Sequence, residues 1–247
     1  MNKINFVYKD LDPEKHLIVE NLDSVDENFS LFKTGKDVWI LQTYILLKLS
    51  GFSHLVLSTS FDKDAINVAH KTDIEDQEVA NNFIICIRAD RDPSFKANIE
   101  VVQNRYSIIK RNDYFIPHWP QPGLIPRDPS RGDKIENIYY FGKDCHLSER
   151  FKGSNFSKSL EEIGCKLIIQ ENEWNDYSQA DLVLAVRDGR QFYLNFKPAS
   201  KLVNSWLAKC VPILNYEEGY AELVESDLDC KFAKTEQSLR THKSHQR

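Results

Sequence analysis

Tyr193-Leu-Asn-Phe-Lys197-Pro-Ala-Ser200-Lys201-Leu-Val-Asn204-Ser-Trp206-Leu-Ala-Lys-Cys-Val-Pro-Ile-Leu214-Asn-Tyr-Glu217-Glu218-Gly-Tyr-Ala-Glu-Leu223 is the stretch on which the fold turns. Residues 193–196 read as the end of a strand. Residues 197–200 form a polar turn, and Ser200 is a favoured helix N-cap. Leu202, Val203, Trp206 and Leu207 recur at i, i+1, i+4 and i+5, the apolar stripe of a short helix. Residues 211–214 are a brief β-branched and apolar run, which predicts a buried strand. Glu217-Glu218-Gly219 ends it, and a further helix starts near Tyr220. The order is therefore strand, turn, helix, strand, acidic turn, helix.

Ligands of open α/β sheets sit outside the carboxyl ends of the strands, and both turns are expected there. The first turn offers a helix N-terminus beside Lys197 and Lys201, which suits a phosphate or pyrophosphate. The second offers Glu217 and Glu218, which suit ribose or sugar hydroxyls. Plain solvated turns carry the same residue types.

Working outward, the α/β alternation continues in both directions. Residues 4–8, 54–58, 65–69, 83–87 and 97–103 read as strands, and 38–50 as an apolar helix stopped by Gly51. Residues 10–36 read as acidic and irregular. Residues 114–133 hold five prolines, which forbid helix interiors and central strands. They read as a stiff ordered connector containing the domain boundary. Beyond it, 137–141, 166–170 and 180–186 read as strands, 156–163 as a helix and 174–177 as a short helical turn. Domains are expected at 1–120 and 121–228, with 229–247 a polar, basic, disordered tail.

At 247 residues, 41% apolar and 28% charged, the composition is that of an ordinary globular protein. A net charge of −5 argues against nucleic acid as a partner. No apolar run reaches the length of a membrane span, and the first residues lack a signal core, so a cytoplasmic location is expected. Cys86, Cys145, Cys165, Cys210 and Cys230 are odd in number and widely spaced, and read as reduced, mostly buried thiols.

Several motifs resemble a group of bacterial, often cyanobacterial, glycosyltransferase-like proteins of the two-domain GT-B architecture. They are Phe83-Ile-Ile-Cys-Ile-Arg88-Ala-Asp90-Arg91, Val101-Val-Gln-Asn104, Ile116-Pro-His118-Trp-Pro-Gln-Pro-Gly-Leu-Ile-Pro-Arg127, Trp174-Asn-Asp-Tyr-Ser178 and Lys197-Pro-Ala-Ser-Lys-Leu-Val-Asn-Ser-Trp206. The resemblance covers residues 35–228. It implies two Rossmann-like domains facing a cleft, with a nucleotide-sugar held by the C-terminal half and a glycan, lipid or small-molecule acceptor by the N-terminal half. It implies no cofactor and no metal ion, positive side chains and helix N-termini stabilising the leaving diphosphate instead. Membrane contact would be at most peripheral. The matching donor-binding candidates are Arg187, Lys197, Ser200, Lys201 and Asn204, with Glu217 and Glu218 for hydroxyls. His118 is the candidate base, and Arg88, Asp90 and Arg91 are cleft candidates. Trp119, Trp174 and Trp206 read as packing residues.

Two departures from the pattern stand out. Lys209-Cys210-Val211-Pro212 replaces the small residue and glycine usual before that proline. The resemblance also stops near Leu228, where such chains continue into further helices, so a shortened C-terminus and lowered stability are expected. The competing readings are a non-catalytic nucleotide-sugar or glycan-binding protein and a nucleotide-sugar epimerase, which fold alone does not separate.

Overall fold

Along β1 (Ile4–Val7) successive side chains enter opposite cores. Phe6 packs into one cluster with Tyr44 and Ile45, whereas Val7 packs into another with Ala69 and Ile84. This two-sided burial is what a parallel sheet covered on both faces requires. The computed structural model describes residues 3–74 and 81–233, and the chain divides into two units. The first is Met1–Gly123 with Phe196–Pro198, the second Leu124–Asn195 with Ala199–Arg247.

In the first unit, β1 is followed by α1 (Pro13–Glu20), a π-helical segment Asp37–Gln42 that continues as α2 (Thr43–Leu49), and β2 (Leu55–Ser58). Then come β3 (Ile66–His70), α3 (Lys71–Ile74), β4 (Phe83–Ala89), β5 (Ile99–Val102) and β6 (Asp113–Phe115). All six strands pair in parallel in the order β2-β1-β3-β4-β5-β6.

Two expectations change here. Residues 10–36 contain α1, which starts because the Asp12 carboxylate accepts from the Glu14 and Lys15 amides with Pro13 at the first helical position. Residues 113–115 join the sheet as its edge strand, the one place where a proline-flanked segment pairs on one side only. Near the end of the unit, Gly123 adopts φ +61, and an added Cβ would lie 2.8 Å from the Asp26 carbonyl and 2.9 Å from Phe29. Gly123→Ala is expected to lower the unit's stability by about 2 kcal/mol in urea unfolding, through backbone strain and overpacking together.

The second unit contains β7 (Asn137–Phe141), α4 (Ser154–Glu162), β8 (Lys166–Gln170), β9 (Leu182–Ala185) and α5 (Gln191–Leu194). It ends with α6 (Ser200–Leu207), β10 (Val211–Leu214), α7 (Glu218–Ala221) and β11 (Lys231–Phe232). Its strands are also all parallel, in the order β11-β10-β9-β7-β8. Both units are thus Rossmann-like α/β sheets with helical connections.

Several local expectations fail in this unit. Residues 193–196 form no strand, because the Tyr193 and Leu194 amides close a helical turn on the Arg190 carbonyl. Ser200 is the first helical residue and caps nothing with its side chain; Ala199 is the N-cap. In α6 the buried residues are Leu202, Asn204 and Ser205, while Trp206 and Leu207 are 37% and 51% exposed. The Trp206 indole N–H instead donates to the Asp229 carbonyl at 2.7 Å. The turn expected from Trp174 is present but ends at Asn175, with the Asp176 amide closing on the Glu173 carbonyl; the chain then extends, since Ile125 bridges Asn175 and Tyr177 through two backbone hydrogen bonds. The expected tail begins inside the fold, because β11 pairs with β10. The remainder, 234–247, lies outside the described residues.

One carboxylate ties the proline-rich segment to the second sheet. Asp181, with a side chain 1% exposed, accepts from Arg127 at 2.8 Å and Arg131 at 2.7 Å. It also accepts from the backbone amides of Glu136 and Asn137, each at 2.9 Å. The five cysteines are free thiols, with Cys145 alone exposed.

Candidate functional site

The first sheet's strand order places its topological switch point between β1 and β3, because the chain leaves β1 for β2 on one side and returns to β3 on the other. A cavity of about 500 Å³ lies at this end of the unit. Its walls come from the residues just past the carboxyl ends of the strands: Tyr8 and Asp10 after β1, Thr72 after β3, Asp90 and Arg91 after β4, and His118 beyond β6. The segment Thr34-Gly35-Lys36, leading into the Asp37 helix, supplies a further wall.

A β-bulge shapes one wall. The β4–β5 register shifts between Ile87 and Ala89, and Ala89 takes φ +53 at the cavity edge. A non-glycine residue in the left-handed region stores strain, and bulges re-aim side chains. Here Arg88 points inward and Asp90 and Arg91 line the cavity. Arg88 is 1% exposed, 3.6 Å from Glu100 and 3.9 Å from Asp113, and donates to the Arg91 and Ser107 carbonyls. It is a framework residue that anchors the loops behind the cavity, so its expected place among the reacting groups is corrected.

Asp90 is held by Lys197, whose ammonium bonds its carboxylate. Burial alone would raise the Asp90 carboxyl, but Lys197 holds it below the usual range. Lys197, a donor-site candidate of the sequence, is thereby tied to a residue that lines the first unit's cavity. His118 is positioned by Trp39, edge-on at 5.7 Å, and by its Nδ1 contact of 2.6 Å to the Trp119 carbonyl. A carbonyl only accepts, so Nδ1 carries the proton and Nε2 carries the lone pair of the neutral ring. Burial lowers the His118 pKa, against the opposing pull of the Trp119 carbonyl and the Asp90 charge. A neutral imidazole with a basic Nε2 is what general-base chemistry near neutral pH requires.

Lys36, Tyr8, His70 and Gln103 also line this cavity, and none of them was a site candidate of the sequence. The Lys36 ammonium sits 3.8 Å above the Tyr8 ring and bonds Asp10 and Asp73. Burial raises the Asp73 carboxyl in spite of this contact. Thr72 donates its amide to His70 Nδ1, which leaves the His70 proton on Nε2. Gln103 is 5% exposed, with an amide oxygen lacking a hydrogen-bond partner. The signal that would have found Tyr8, His70 and Gln103 is their place at strand ends, legible only once the strand order is known; Lys36 stands instead at the start of the Asp37 helix.

In the second unit the switch point falls between β7 and β9. Arg187, two residues past β9, donates to both Glu217 oxygens at 3.0 and 3.3 Å and to the Tyr220 hydroxyl at 3.4 Å. Glu217 is fully buried and also accepts from Asn215, so its carboxylate orients Arg187. Glu218 is partly exposed, and Tyr216 donates to it at 3.5 Å. Lys201, in the first turn of α6, donates to the Phe141 carbonyl at the end of β7 and lies 5.9 Å from the Trp174 ring. Burial and the neighbouring Arg187 charge push its pKa down to about 8. Two cations thus converge at a strand-end switch point, and Glu217 balances only Arg187. Ser200 is partly exposed beside Lys201, whereas Asn204 is buried one turn further along.

Among the described residues no group of histidine, cysteine or carboxylate side chains is arranged to hold a metal ion, and no helix is long and apolar enough to cross a membrane. Compared with protein-family models and with curated protein sequences, the chain matches none.

Proposed function

We propose that the chain is a GT-B-type glycosyltransferase that moves a sugar from a nucleotide-sugar to a hydroxyl of a glycan, lipid or small acceptor. The observation that carries this reading is Lys201. A lysine set beside a second cation at the strand-end switch point, its pKa lowered first by burial and then by that neighbouring charge, is electrostatically complementary to an anion. A diphosphate bound there gains the Lys201 ammonium, the Arg187 guanidinium and the N-terminal amides of α6. Charge builds on the diphosphate as the glycosidic bond breaks, so the same contacts strengthen in the transition state. The first unit supplies the complementary part, an acceptor cavity with His118 Nε2 as base and Asp90 to support the imidazolium.

Calorimetric titration with UDP, GDP and their sugar conjugates tests the reading. One nucleotide is expected to bind, and Lys201→Ala to weaken it about tenfold or more, the worth of one charge-assisted contact. The pH dependence has a definite sign. Lys201 is charged below about 8, so affinity is expected to fall as pH rises through that value and to become flat in Lys201→Ala. Failure of every nucleotide to bind would remove the donor site.

A further inference from the structure

The edge of the first sheet, away from the cavity, carries an exposed patch of mixed apolar and basic character. Phe95 is 94% exposed, Ile109 60% and Ile108 42%. Lys96 and Arg111 are exposed beside them, and Lys110 is half-buried. The two segments involved lie side by side at the amino ends of β5 and β6. Lys110 Nζ donates to the Ser94 carbonyl at 2.6 Å and stands 5.2 Å from the Phe95 ring, and Asn112 donates to the Asn98 carbonyl.

Phe95 is held out by structure rather than left on a loose loop. Its neighbour Ser94 is 4% exposed, its amide donates to Glu100 at 2.7 Å, and its hydroxyl accepts from the Lys96 amide at 3.2 Å. The loop is pinned, and the ring is presented to solvent. Exposing a large apolar side chain on a fixed turn disfavours the isolated protein unless something covers it.

The surrounding charge indicates what does. The whole chain carries −5, yet in the two segments of the patch, 94–98 and 108–112, the exposed charges are Lys96 and Arg111, and neither segment holds a carboxylate. Glu100 and Asp113, just past the two segments, are buried beside Arg88. A second copy of the chain would bring this basic patch against itself across a two-fold axis. A bilayer with anionic headgroups satisfies both features, since bases remain at the headgroups while the apolar tips enter the acyl boundary.

We infer that this patch docks the protein on an anionic lipid surface, with Phe95 and Ile109 as inserting tips and Lys96 and Arg111 as headgroup contacts. The inference stands independently of the glycosyltransferase reading.

Co-sedimentation of the full chain with vesicles tests it. Binding is expected to vesicles of phosphatidylcholine mixed with phosphatidylglycerol, to be weak on phosphatidylcholine alone, and to fall with added salt. Phe95→Ser with Ile109→Ser, and separately Lys96→Glu with Arg111→Glu, are each expected to reduce partitioning about tenfold or more. All four positions are exposed, and an unchanged circular dichroism spectrum verifies that the fold survives. No binding to anionic vesicles, or binding that both double variants leave intact, overturns the inference. So does salt-dependent binding to polyuridylate in the absence of vesicle binding, which would assign the patch to RNA.

Discussion

Asp181→Ala is expected to destabilise the second unit by about 4 kcal/mol, the cost of breaking a buried ion pair from one side. The carboxylate serves four donors at once: two guanidinium groups and the amides of Glu136 and Asn137. Its removal leaves those donors facing a side chain that cannot accept, and Arg127 and Arg131 stay largely enclosed at 14% and 13% side-chain exposure. Domain stabilities are commonly about 5–15 kcal/mol, so the variant sits near the edge of folding. Trp174 and Trp206 lie in this unit and report its unfolding by fluorescence.

The pH dependence of that loss follows from the carboxyl's position. Burial alone would raise the Asp181 pKa, but the arginines and the two amides overcome it and hold the group well below the usual carboxylate range. A depressed folded-state pKa contributes stability that is fully present above the unfolded value of about 4 and is lost as pH falls through the folded value. The difference between wild type and Asp181→Asn in urea is therefore expected to be large at neutral pH and to shrink in acid. Equal unfolding midpoints at neutral pH would show that the clamp contributes nothing.

The central strands of both parallel sheets were legible in the sequence because they are largely buried and read as continuous apolar runs, whereas the edge strands β6 and β11 were not. Phe83-Ile-Ile-Cys-Ile is the clearest of the central runs. α1 was not legible, since only Val19 of its eight residues is buried and Leu17 is 67% exposed. With so little of the helix facing the core, the apolar period that announces a helix is missing. In α6 the apolar period pointed to Trp206 and Leu207, yet tertiary packing turned Asn204 and Ser205 inward. Ser205 answers by donating its hydroxyl to the Lys201 carbonyl.

The site divides in the same way. His118 and Asp90 were named from the sequence, and the structure brings them to one cavity. Arg88, two residues from Asp90, reads as its equal until the bulge in β4 sends it into the interior. Glu217 reads as a free carboxylate because its partner Arg187 stands 30 residues earlier, and nothing local in the sequence marks the pair. Lys197 and Lys201 are one turn apart along the chain, yet one bonds Asp90 and the other the Phe141 carbonyl. Such separations are tertiary facts, set by where strands end rather than by spacing along a motif.

His118→Ala is expected to lower kcat by about 10²–10⁴-fold, the usual contribution of a positioned base, while nucleotide affinity stays at the wild-type value. In the proposed reaction the imidazole serves as base toward the acceptor hydroxyl and makes no contact with the nucleotide, so the loss belongs to the chemical step. The acid limb of the rate profile provides a second, independent readout. Burial lowers the His118 pKa, so the neutral base persists below the ordinary histidine value of about 6.5, and activity is expected to fall only in more acidic solution. Asp90 opposes that shift, since its negative charge favours the imidazolium. Removing the charge in Asp90→Asn is therefore expected to move the acid limb to still lower pH and to reduce kcat by less than His118→Ala does. A residue that merely packs beside the histidine would change the rate without moving the limb. Retention of kcat within about threefold in His118→Ala would place the base elsewhere in the cavity, with Asp90 the next group to test.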